Sequence, residues 1–118
     1  MIELTQPRGR LREAVLANLE FKQRLVGSLL HPRLGYLDID LYGFSEVVGF
    51  LCKPNPVLDL GELQTWLFAT IGDHELAGKV AEVDTLDLSY FEKAGRVRDL
   101  LALRLSQCLE PADHEDLS

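Results

Sequence analysis

Between Asp59 and Val83 the chain reads DLGELQTWLFATIGDHELAGKVAEV, and this stretch carries the only tryptophan, Trp66. Two helix starts lie in it, one after the other. Asp59 stands three residues before Glu62, the spacing at which a capping residue and its reciprocal partner meet. From there Leu60, Leu63, Trp66, Leu67 and Ile71 recur at helical spacing and form one apolar stripe. Phe68 leaves that stripe and lies on its flank. Gly72 suits a helix end, because glycine takes the left-handed cap conformation cheaply. Asp73 then caps a second helix, with Glu75 in its first turn and Leu76, Ala77, Val80 and Val83 on its apolar side. Two helices meeting at a Gly-Asp corner constrain the rest of the chain to pack around them, with Trp66 as a core anchor.

The flanking segments are read the same way. Thr5 and Pro7 are good first-turn residues, and from there a long helix is expected to reach Leu30. At about 100° per residue, Leu11, Val15, Leu19, Val26, Leu29 and Leu30 share one broad face. Asn18 and Lys22 fall inside that apolar face, which makes them either satisfied core polar groups or contacts in a partner groove. His31-Pro32 ends this helix, since the residue before proline is pushed out of the helical region. Leu37-Asp38-Ile39-Asp40-Leu41 alternates like a strand, but a lone strand has no partner here. The preferred reading is therefore a helix through Cys52, capped by Asp38 or Asp40, with Phe44, Val47, Val48 and Leu51 on one face. Pro54-Asn55-Pro56 terminates it. Ser89 and Glu92 form a further capping box and open a last helix, Tyr90–Leu109. On it, Leu103 stands among polar residues and is expected on the outside.

From Trp66 through Ile71-Gly72-Asp73-His74-Glu75-Leu76-Ala77, then Val83-Asp84 and the final amphipathic helix, the chain resembles an uncharacterised family of prokaryotic helical domains, some of them found beside glycosyltransferase domains. The resemblance spans Asp59–Leu109. It implies an all-helical fold and supplies no active-site residues.

The fold expected from all this is all-α: one compact bundle of four to five helices over residues 1–118, with residues 1–6 and 111–118 frayed. A chain of 118 residues with 47% hydrophobic content has material for one core and not two.

Charge narrows the function. Six bases and three acids give +3 over residues 1–33, and six bases against sixteen acids give −10 over the remainder. An acidic body repels phosphates, so Arg8-Gly9-Arg10-Leu11-Arg12 is not expected to bind nucleic acid. The start of the chain lacks the apolar run of a secretory leader, and no stretch approaches the roughly 20 apolar residues of a membrane span. A cytoplasmic protein with no membrane contact is expected. Cys52 and Cys108 sit among apolar residues and read as buried free thiols.

Constellations for chemistry are sparse. His31, His74 and His114 show no zinc-ligand spacing to each other or to a cysteine. His31 with Asp38 and Asp40 would hold a hard cation only if folding added a further ligand. There is no phosphate-binding glycine loop and no nucleophile in a strand-to-helix glycine turn. No catalytic residue, cofactor or metal is assigned. The reading is a non-catalytic interaction, adaptor or regulatory module, self-associating or bound to a protein partner, with Phe68, Leu103, Asn18 and Lys22 as candidate interface residues. Two alternatives stand beside it: a small-ligand or metal-binding enzyme subunit, and an acidic inhibitor that mimics nucleic acid.

Overall fold

A computed structural model of the chain describes residues 4–7, 9–54 and 56–109. Among them are five α-helices: α1 (Arg10–Leu16), α2 (Phe44–Leu51), α3 (Leu60–Thr65), α4 (His74–Asp84) and α5 (Tyr90–Leu109). Three strands, β1 (Leu25–His31), β2 (Gly35–Leu41) and β3 (Pro56–Val57), form one antiparallel sheet in the order β2-β1-β3. The all-α bundle expected from sequence is therefore corrected to a mixed fold, helices packed with a three-stranded sheet.

The error has one source. The expected first helix ends at Leu16, and the strand-like segment Leu37–Leu41 finds its partner in Leu25–His31, residues whose spacing also suits that helix. Leu25 pairs with Leu41, Gly27 with Ile39, and Leu29 with Leu37. All of these project from one sheet face, because directly paired residues in a ladder share a side. Gly27 belongs in β1 for a steric reason. A Cβ built there would lie 2.7 Å from the Phe50 ring, so the sheet rests on α2 at a point where only glycine fits. His31-Pro32 is not a helix stop but the start of the hairpin turn. Gly35, at φ 78°, closes that turn in the left-handed region, and the His31 Nδ1 accepts the backbone N–H groups of Arg33 and Leu34, both at 3.1 Å. Asp38 and Asp40 accordingly lie on a strand and cap nothing.

The second half of the chain follows its local signals. Asp59 Oδ1 accepts from the N–H groups of Gly61 and Glu62 at the start of α3. Beyond Thr65 the helix widens into a π turn over Trp66–Ile71, which ends at Gly72 with φ 85°. The turn buries Trp66, Leu67 and Ile71 together and leaves Phe68 outside. Asp73 caps α4 through the Leu76 N–H, and the Ser89 hydroxyl accepts the Glu92 N–H at the start of α5. α5 packs against α1, α2 and α4. One continuous core runs from Val15 and Leu25 through Phe44, Phe50 and Trp66 to Leu101 and Cys108. Among the described residues, no helix is long and apolar enough to cross a membrane.

Candidate functional site

The hairpin β1–β2 has two unlike halves. At its base, Leu25 and Leu41 are buried in the core, and the Leu19 N–H donates to the Tyr42 carbonyl at 2.7 Å. Toward the turn the burial stops: from Leu30 to Asp38 no side chain is buried. Within this half stand Leu34, 68% exposed, and Tyr36, 65% exposed, with Leu30 and Leu37 also exposed. Large apolar side chains grouped on one projecting element are what an interface surface requires. The register places Leu30 directly opposite Tyr36 and on the same sheet face, and Leu29 opposite Leu37 on the other, so both faces of the hairpin end are apolar.

The backbone of this hairpin offers a second feature. β2 is an edge strand with no neighbour on its outer side among the described residues. Its carboxylates are partly occupied: Asp40 accepts from Arg24 Nε at 3.1 Å and from the Tyr42 hydroxyl at 3.4 Å, and Asp38 accepts from the Ser28 hydroxyl at 3.4 Å. Arg24 also lies over the Phe21 ring at 3.8 Å. Acidic side chains on an exposed edge oppose pairing of that edge with its own copy.

The most concentrated polar chemistry lies elsewhere, where α5 meets the start of α4. Arg104 and Asp73 are fully buried, and Arg104 Nε donates to Asp73 Oδ2 at 2.7 Å. Its Nη2 donates to Asp73 Oδ1 and Glu75 Oε1, and its Nη1 to the Thr5 carbonyl and to Gln107 Oε1. A guanidinium has five N–H donors, and each meets an acceptor here. No donor remains for a ligand, so this cluster is a clasp that ties the segment before α1 to α4 and α5. Thr5 completes it by donating its N–H and hydroxyl to Glu75. Partial burial pushes the Glu75 carboxyl upward, but hydrogen bonds from Arg104 and Thr5, with the arginine's charge, outweigh this and hold it below the usual carboxylate value. Thr5 thus serves the clasp and does not cap α1, which begins after Gly9.

The four candidate interface residues fall on three separate elements. Phe68 is 55% exposed on the π turn and stacks on the His74 ring, with centroids 4.0 Å apart. Leu103 is half-buried on α5, not outside as expected, because α5 is contacted by three helices. Asn18 and Lys22 are exposed between α1 and β1, Lys22 in a short 3-10 turn over Phe21–Gln23, and neither continues α1. They are not gathered into one site. Sequence reasoning missed Leu30, Leu34, Tyr36 and Leu37, although the Leu37–Leu41 alternation and the His-Pro-Arg-Leu-Gly turn signalled the hairpin that carries them.

The metal constellation is not assembled. His31 pairs with Gly35, three register steps from the Ser28–Asp38 pair, roughly 10 Å along the strand. Among the described residues no three His, Cys, Asp or Glu side chains are grouped to hold a metal ion. Of the basic cluster, Arg8 and of the histidines His114 lie outside the described residues, while Arg12 turns inward and donates to the Cys108 carbonyl at 2.9 Å. Cys52 is exposed, not buried, because it lies just past the end of α2; Cys108 is buried, and burial pushes its thiol up against the opposing charges of Arg104 and Arg12. Both are free thiols. No family model, curated protein or solved structure matches the chain, so the resemblance over Asp59–Leu109 rests on its residues alone.

Proposed function

We propose that the protein is a non-catalytic interaction module whose contact surface is the far half of the β1–β2 hairpin. The observation that carries this reading is the run Leu30–Asp38, which holds four exposed large apolar side chains and no buried one. Folding leaves much of that surface in water, and association would remove it. The clasp at Arg104 supports the reading, since all five guanidinium donors are already bonded within the protein. In the absence of another protein, the hairpin end associates weakly with a second copy through its apolar face and not through the acidic β2 edge. The exposed free thiol of Cys52 suits a reducing compartment, consistent with a cytoplasmic setting.

A dilution series of amide spectra tests this. Concentration-dependent shifts confined to Leu30–Leu37 are expected. Shifts centred on Phe68, or on Asn18 and Lys22, would move the contact surface off the hairpin.

A further inference from the structure

The sheet is three-stranded over only part of its length. β3 pairs with β1 at Ser28 and Leu29 and nowhere else. Leu25, Val26 and Gly27 pair with β2 on one side, and among the described residues no strand lies on the other. β3 runs antiparallel to β1, so a longer β3 would have continued alongside these three residues. Instead the chain leaves the sheet after Val57 and enters α3 at Leu60.

What stands opposite the open edge is α3 and the π turn, with a groove of about 670 Å³ between. Arg24, Leu25 and Val26 line its strand side. The Trp66 indole N–H donates to the Gln23 carbonyl at 2.8 Å, which pins the middle of the helical segment, where α3 passes into the π turn, just before the start of β1. Asp59, by contrast, lies beside the end of β3. The helical segment therefore runs alongside β1 in the opposite sense, with the groove between them. Trp66, with its only donor already used, gives the groove an apolar wall. On the helix side Gly61 has no side chain and Thr65 and Ala69 have small ones, so a backbone can approach.

From this we infer that the groove accepts an extended, basic segment of a partner protein, added to β1 as an antiparallel strand in line with β3. Main-chain bonds to the open edge would supply affinity, and side chains at alternate positions would supply selection. The sign of the partner's charge follows from the groove. Asp59 and Glu62 put two carboxylates at the β3 end, and the Glu62 carboxylate makes no bond among the described residues. Among the described residues the one lining cation, Arg24, is already paired with Asp40. A strand continuing β3 places its N-terminal end at Asp59 and Glu62, so lysine or arginine belongs there, followed by β-branched or aromatic residues toward Trp66. A second copy of this chain is a poor occupant, since its exposed edge strand β2 carries Asp38 and Asp40. The groove goes beyond the hairpin reading: it lies along the opposite end of β1.

The test is a phage-displayed library of random eight-residue peptides, panned against the full chain. Enriched clones are expected to place Lys or Arg before alternating Val, Ile or Tyr. As synthetic peptides they are expected to shift the amide signals of Leu25–Gly27. Ala69→Trp, at an exposed position, fills the groove and should weaken them about tenfold or more, as should N-methylation at alternate peptide positions. Glu62→Lys, which keeps the groove open, should reverse the preference toward acidic peptides. No enrichment, acidic clones with the unaltered chain, or clones indifferent to both variants would overturn the inference. The hairpin reading fails separately: a chain that binds these peptides yet never self-associates keeps the groove and loses the hairpin, and the converse result does the opposite.

Discussion

Arg104 reaches across from α5 to grip Asp73, the cap of α4, with Nε 2.7 Å from Oδ2 and Nη2 3.3 Å from Oδ1, both side chains sealed from solvent. One carboxylate thus caps the start of a helix and neutralises a buried cation. Ion pairs this deep are costly to assemble and costlier to break, because removing one partner strands the other charge in the interior. Arg104→Met should lower stability by about 3–5 kcal/mol in urea unfolding. Adding Asp73→Asn should recover part of that loss, since the amide still accepts from the Leu76 N–H. Simple additivity of the two losses would show that the pair is not coupled.

Glu75 makes the clasp pH-dependent. Its native carboxyl is held below the ordinary value of 4.5, so at moderate pH the unfolded chain binds its proton more readily than the native state. That contribution is present above the unfolded value and is lost as pH falls through the native one. Glu75→Gln should therefore be less stable than the natural chain at pH 7, with the gap closing in acid, below both values. Because the carboxylate is more than a third exposed, raising the salt concentration should also shrink the gap. A gap constant from pH 7 to pH 3 would remove the ionic role.

How much was legible in the chain divides by range. The caps at Asp59, Asp73 and Ser89 and the stop at Gly72 act within a few residues, and each appears where the sequence places it. The hairpin was obscured because Val26, Leu29 and Leu30, all in β1, also fall on the helical period set by Leu11, Val15 and Leu19. Only the pairing of Leu25–His31 with Gly35–Leu41 decides between them, and pairing is not a property of either segment alone. Gly27 and Ser28, poor in a helix, were the local sign. Arg104 gave no sign at all. It sits in an amphipathic helix like any surface arginine, and its partner, 31 residues earlier, was already accounted for as a cap. The hairpin surface is hidden for the same reason as the hairpin: read as a helix, Leu30 is one more residue of a very wide apolar face, a surplus that stands beside Phe68 and Leu103.

Gly27 is the point at which the sheet meets α2. Gly27→Ala would place Cβ 2.7 and 2.8 Å from two atoms of the Phe50 ring. Overpacking of this kind should cost about 1–3 kcal/mol, measured by chemical denaturation. Combined with Phe50→Leu, it should cost less than the two changes summed, because the smaller side chain vacates the contested space. Equal or greater cost would mean that the ring does not set the spacing.

Tyr90 holds β3 against α5. Its hydroxyl accepts the Leu58 N–H at 2.8 Å and donates to the Pro56 carbonyl at 2.9 Å. Tyr90→Phe should cost about 1–3 kcal/mol and speed amide exchange at Leu58. Burial raises the phenol above its ordinary value of 10.0, against the opposing Leu58 bond. Its contribution is therefore complete below pH 10 and lost as pH rises through the raised value, so the penalty of Tyr90→Phe should shrink in alkali.

The central claim is that the hairpin end exists to be covered, and sedimentation velocity tests it most directly. Between 1 and several hundred micromolar, on the order of the range in which weak protein contacts form, the natural chain should sediment progressively faster. A chain carrying Leu34→Asp with Tyr36→Ser, two exposed positions whose replacement leaves the core untouched, should remain monomeric throughout. A natural chain that stays monomeric at the highest concentration, or a doubly substituted chain that associates equally well, would contradict the account.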